Sequence, residues 1–153
     1  MSSQGQFSLF SQRRFLPYFV TQALGAFNDN LYKNTLLLFI ALFAVDAQQS
    51  GLLTNIAAGL FILPFFLFSA IGGQIADKYE KSKLIRIIKL AEIAIMVIGA
   101  LALMWQHTNL MLVVLFLMGT QSAFFGPVKF SLLPQHLDKS ELVGGNGLIE
   151  MGT

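Results

Sequence analysis

Cysteine is missing from the chain altogether, which excludes disulfides, thiol nucleophiles and thiolate metal sites. Charge is scarce. Asp, Glu, Lys and Arg make up 12% of the residues, about half of the roughly 25% carried by soluble domains. The two histidines, His107 and His136, fall in connections at opposite ends of an apolar run, so they do not share a metal. No His-x-x-x-x-Asp pair occurs, so this segment offers no acyltransferase chemistry. Neither a metal nor a cofactor is expected, nothing points to nucleic acid, and no internal repeat or low-complexity stretch is present.

What the chain has in quantity is apolar surface: 55% hydrophobic residues, fifteen of them Phe. It is gathered into four runs, 17–45, 52–76, 84–105 and 110–126. At ~1.5 Å per residue, ~20 helical residues cross a hydrocarbon core of ~30 Å. The first three runs are long enough and the fourth sits near the lower limit. The first is too long for a cleavable signal peptide and has no small-residue cleavage site after it. The fold class is an all-α membrane protein.

Charge placement sets the expected topology. Arg13 and Arg14 precede the first run, Lys78, Lys81, Lys83, Arg86 and Lys89 lie between or just inside the second and third, and Lys129 and Lys139 follow the fourth. The other two connections contain no Lys or Arg. Nine of the ten basic residues therefore fall on one side, which puts that side, and the N-terminus, in the cytoplasm. Residues 1–14 read as a cytoplasmic tail and 15–153 as a partial transmembrane domain. Tyr18 and Trp105 sit at helix ends, where amphipathic rings favour the headgroup layer.

Beyond Pro127, the spacing of Phe130, Leu133 and Leu137 predicts one apolar helical face lying on the cytoplasmic surface. Asp138-Lys-Ser-Glu141 reads as a capping box, and a fifth helix is expected over about 140–153. That is too short to cross. The expected content is four complete spans and the start of a fifth.

Polar residues inside the spans carry the functional reading. Gln22, Gly25, Asp29 and Lys33 recur at i, i+3, i+7 and i+11, one face of a helix, with Asn28 and Asn30 beside them. Each central Asp or Lys costs ~2.5–3.5 kcal/mol on insertion scales. Two explanations are open. Asp29 and Lys33 can pair at i, i+4 and hold the bundle together, although buried pairs stabilise poorly. Alternatively the stripe lines a pathway for a polar or zwitterionic substrate or a coupling ion. Gln121 and Ser122 either line the cavity or bond across helices. Lys89 and Glu92 read as a local pair, and Pro64 as a kink in the second helix.

The connection "GGQIADKYEKSKLIR", 72–86, resembles the G-x-L-x-D-x-x-G-x-(R/K) loop of the major facilitator superfamily. Gly73, Ile75, Asp77, Lys78 and Lys81 match in place, while Glu80 stands where Gly is usual and Ser82 where a basic residue is usual. Gly73, with Ser69 four residues before it, is expected to let helices approach closely, and Asp77 to latch onto basic groups of a neighbouring helix. A plain topology anchor is the competing explanation. Lys129 and Glu150, near the same mouth, complete the expected cytoplasmic gate with Gly73, Asp77, Lys78 and Lys81.

Together with "GAFNDN" (25–30) and "FFGPVKFSLLPQHLDKSELVGGNGLIEMGT" (124–153), this loop makes nearly the whole chain resemble bacterial lysophospholipid transporters of that superfamily. The closer likeness is to the form that opens fusions with a phospholipid acyltransferase and an acyl-carrier-protein synthetase. The resemblance implies twelve helices in two six-helix halves, this chain holding most of the first, and alternating access in the inner membrane. It implies a lysophospholipid such as lysophosphatidylethanolamine as substrate, moved inward for reacylation. It also implies membrane lipids, the remaining helices and a fused or separate acyltransferase as partners. By the same likeness, Asp29 is the family's acidic residue of helix 1, and Lys129 and Glu150 are charged positions around helices 4 and 5. Gln22, Asn28, Asp29, Asn30, Lys33 and Gln121 form the expected substrate or coupling pathway. A proton-coupled drug or metabolite antiporter of the superfamily, and a non-transporting domain anchoring an acyltransferase, are the alternatives.

Overall fold

The computed structural model describes residues 6–153. Regular structure among them is wholly helical. A 3-10 helix, Gln6–Ser11, precedes α1 (Leu16–Phe43), α2 (Ala47–Lys78), α3 (Lys81–Met104), α4 (Thr108–His136) and α5 (Leu142–Met151). They make two compact units, one of the described residues up to Asp29 with Lys129–Thr153, the other Asn30–Val128.

Local chemistry explains the helix ends. Asp46 caps α2, its carboxylate accepting the Gln49 N–H at 2.7 Å, while the Gln49 side chain accepts the Val45 N–H at 2.7 Å; this is a reciprocal cap built with Gln. Tyr79 and Glu80 join α2 to α3 with φ of −108° and −62°. Neither needs the left-handed region, so the replacement of the usual Gly by Glu80 costs the turn nothing. Glu80 instead pairs with Lys83 at 3.1 Å. At the far end of α3, Gln106 takes φ 53°, and the N–H groups of Gln106 and His107 close on the carbonyls of Leu103 and Ala102 at 3.1 Å each. That is a Schellman stop with Gln in the place Gly usually takes.

Among the described residues three helices, α2, α3 and α4, are long and apolar enough to cross a membrane. α1 has the length, 28 residues, but Asn28, Asp29, Asn30, Lys33 and Asn34 dilute its apolar character. Three spans, not four, stand on length and hydropathy. α4 differs from its neighbours: 56% of its most apolar window is buried, against 17% in α2 and in α3. A helix apolar all round belongs in the middle of a bundle.

In the larger unit, Tyr32, Leu36 and Ile40 form one stripe of α1 at i, i+4 and i+8, packed with Ala57, Ala102, Met111, Val114 and Leu115. Two glycines permit that packing. A Cβ on Gly99 would stand 2.8 Å from the Tyr32 ring, and one on Gly119 would stand 2.5 Å from the Phe61 carbonyl oxygen beside Pro64. The expected close approach at Gly73 is displaced by one residue. A Cβ on Gly72 would lie 3.2 Å from the Ala123 carbonyl oxygen of α4, whereas one on Gly73 would meet nothing within 4 Å. A one-residue step turns a helical side chain by ~100°, so Gly73 and the exposed Ser69 lie away from α4.

The smaller unit corrects a second expectation. The segment after Pro127 is not a separate surface helix; it continues α4 to His136. Leu133 and Leu137 are buried with Leu9, Phe15, Leu148 and Ile149, and Phe130 of the expected face stays exposed. Apolar burial on both sides of Pro127 carries the helix through it, as happens in apolar bundles where neighbours compensate the missing N–H. α5 begins at Leu142, inside the expected range. The Asp138 N–H donates to Glu141 Oε2 at 3.0 Å, the glutamate half of the capping box.

Candidate functional site

Buried polar groups in apolar helices are costly unless satisfied, so the partners of each one define the site. In the smaller unit, Gln22 and Lys129 are both buried, at 2% and 7% exposure. Gln22 Nε2 donates to the Ile149 carbonyl at 3.1 Å and to Thr153 Oγ1 at 2.5 Å. Lys129 Nζ donates to the same Thr153 Oγ1 at 3.0 Å and stands 4.9 Å from the Phe130 ring centre. Thr153 Oγ1 in turn donates to the Ile149 carbonyl at 2.8 Å. Tyr18, expected at a membrane interface, donates its hydroxyl to the Lys129 carbonyl at 2.6 Å.

Sequence spacing put Gln22 in the α1 stripe and Lys129 in the gate. The structure brings these two together on Thr153. Glu150 is exposed and acts on Lys129 through its charge, with no ion pair between them within 4.0 Å among the described residues. Thr153 was not an expected site residue. It lies two residues past the end of α5 and is itself exposed, and its hydroxyl reaches the Ile149 carbonyl four residues back.

The same unit holds an ion pair that sequence reasoning missed. Arg14 Nη2 donates to both Glu141 oxygens at 2.9 and 2.7 Å, Arg14 Nη1 to the His136 carbonyl at 2.8 Å, and Gln12 Nε2 to Glu141 Oε1 at 3.4 Å. Glu141 is held below the ordinary carboxylate range, first by the Asp138 N–H, then by Gln12 and Arg14, with desolvation opposing.

In the larger unit a second polar cluster joins α3 to α4. Lys89 Nζ meets Glu92 Oε2 at 2.7 Å, as the sequence spacing predicts, and stands 4.5 Å from the Phe125 ring centre. Gln121 Nε2 donates to the same Glu92 oxygen at 2.8 Å, and Ser122 Oγ donates to Gln121 Oε1 at 3.1 Å. Gln121 thus bonds across helices and also lines a cavity of α2, α3 and α4. Lys33 Nζ donates to Asn30 Oδ1 at 3.1 Å and lies 5.4 Å from the Phe61 ring centre.

The α1 stripe divides between the units: Gln22, Gly25, Asn28 and Asp29 belong to the smaller, Asn30 and Lys33 to the larger. Asn28 and Asp29 are half-buried, and one Asp29 carboxylate oxygen is fully so. Of the gate residues, Asp77 and Lys78 are exposed in the last turn of α2, and Lys81 opens α3 half-buried. Among the described residues none of these three forms an ion pair within 4.0 Å.

The chain is similar to lysophospholipid transporters. It is 32% identical over 142 residues to the lysophospholipid transporter LplT of Salmonella arizonae, and equally to those of Salmonella agona and Salmonella typhi. The alignment takes in 90% of this chain and 32% of each relative, so the chain spans about a third of their length. No family model and no solved structure matches it.

Proposed function

We propose that this chain is the opening part of a lysophospholipid transporter of the major facilitator type, working by alternating access in a bacterial inner membrane. The observation that carries the reading is the similarity to lysophospholipid transporters across 90% of the chain. Its support comes from apolar helices that bury Gln22, Gln121 and Lys129 and half-bury Glu92, groups that apolar packing alone would not select. In this reading α1 is a fourth span, its polar residues facing the transport path. The basic side is cytoplasmic, and lysophospholipid moves inward for reacylation.

Asn28, Asp29, Asn30 and Lys33 meet the zwitterionic headgroup as it crosses. Asp77, Lys78 and Lys81 engage charges supplied by the remaining helices, and Lys129 with Glu150 adds the local gate. The test uses the full-length protein in vesicles, with fluorescent lysophosphatidylethanolamine and a cationic dye offered separately. Protein-dependent movement of the lysolipid with none of the dye is the expected result. Dye movement driven by a proton gradient, with the lysolipid static, would turn the reading to an antiporter. Movement of neither would leave an anchoring domain.

A further inference from the structure

Gln22 is 2% exposed on α1, and only half of its amide is satisfied. Nε2 donates to the Ile149 carbonyl and to Thr153 Oγ1. The oxygen, Oε1, is fully buried and has no hydrogen-bond partner among the described residues. A buried acceptor without a donor is rare in folded proteins and destabilises them. Turning the amide over does not cure it, because the oxygen would then face the Ile149 carbonyl, another acceptor. The neighbouring hydrogens are directed elsewhere: the Thr153 hydroxyl donates to Ile149, and Lys129 Nζ donates to Thr153.

The Phe19 ring and the Gly152 backbone close over this oxygen. A Cβ on Gly152 would stand 3.4 Å from Oε1 and 2.9 Å from the ring, so a side chain at 152 would crowd both. Phe19 is half-buried, and its ring covers the acceptor without giving it a hydrogen bond. Asp29 lies seven residues further on the same face of α1, ~10.5 Å along the axis, and both residues belong to the smaller unit. In an extended lysophosphatidylethanolamine headgroup, eight bonds separate the ammonium from the free glycerol hydroxyl. At the ~1.2 Å advance per bond of an extended chain, that is about 10 Å. An ammonium at Asp29 therefore brings the hydroxyl to Gln22.

We infer that Gln22 Oε1 is the acceptor that reads the free glycerol hydroxyl of a lysophospholipid and so separates it from diacyl lipids. The inference rests on the transporter reading above and adds a selectivity residue to it. The substrate O–H displaces the Phe19 ring and supplies the missing hydrogen. In a diacyl lipid the same oxygen is esterified, has no hydrogen to give, and leaves the acceptor unpaired.

The experiment offers three lipids to the full-length protein in vesicles. They are lysophosphatidylethanolamine, its analogue with hydrogen in place of the glycerol hydroxyl, and diacyl phosphatidylethanolamine. Protein-dependent movement of the lysolipid should exceed that of the deoxy analogue by about tenfold or more, and the diacyl lipid should stay in place. In Gln22→Met, which keeps the length but not the acceptor, the two single-chain lipids should move at equal rates. A Gln22 that only holds helices together would slow both alike in that variant and keep their ratio, which overturns the inference. Equal rates for the two lipids in the unsubstituted protein would also overturn it, while leaving the transporter reading standing. That comparison needs no substitution, so it decides even where Gln22→Met fails to fold. Movement of neither single-chain lipid would refute the transporter reading and the inference with it.

Discussion

Arg14 and Glu141 are 127 positions apart, yet their bidentate pair ties the start of α1 to the entry of α5. No sequence rule pairs residues at that distance, whereas Lys89 and Glu92, three apart on one helix, were legible at once. The pair has a pH signature. Glu141 ionises below its ordinary value of 4.5 because the Asp138 N–H, Gln12 and Arg14 favour the carboxylate. Its folded value is the lower one, so its stabilisation is complete above about 4.5 and is lost as pH falls through the folded value. Protection of the α5 amides, taken relative to their intrinsic exchange rates, should therefore fall on acidification below that point, and Glu141→Gln should be less protected at neutral pH with the acid step flattened. An unchanged acid step in Glu141→Gln would assign the step to another carboxylate.

At the scale of elements, the starts and ends of α2 and α3 were close to the apolar runs because caps and turns are local chemistry. The fourth helix was read ten residues short. Pro127 looked like a stop, and only the burial of Val128, Leu132 and Leu133 shows why the helix continues. Which glycine makes the contact was likewise hidden, since Gly72 and Gly73 differ only in the direction they face. Gly119→Ala puts a methyl 2.5 Å from the Phe61 carbonyl oxygen, backbone against backbone, and should cost about 1–3 kcal/mol. Gly73→Ala in this same chain should change stability by less than about 0.5 kcal/mol, having nothing within 4 Å of the new Cβ. Thermal unfolding of the chain in detergent measures both. Equal loss in the two would refute the assigned α2–α4 contact.

For the whole molecule, the helical membrane class was legible from composition, while the division into two units was not, because α1 and α4 run through both without a break in sequence pattern. The basic asymmetry predicts an orientation that labelling can check in a full-length protein otherwise free of cysteine. Gln48→Cys and Asn109→Cys should react from the periplasm, Ser82→Cys and Ser140→Cys only after permeabilisation; labelling of Ser82→Cys from outside would reverse the topology. The central claim is that Asn28, Asp29, Asn30 and Lys33 of α1 handle a lysolipid headgroup rather than hold helices together. The measurement that tests it most directly is lysophosphatidylethanolamine movement in vesicles by full-length Asp29→Asn and by Asp29→Asn with Lys33→Met. Both variants should insert and fold, and both should lose at least about tenfold in rate, ~1.4 kcal/mol of substrate or transition-state interaction. Normal transport by the double variant would contradict the account and reduce the stripe to packing.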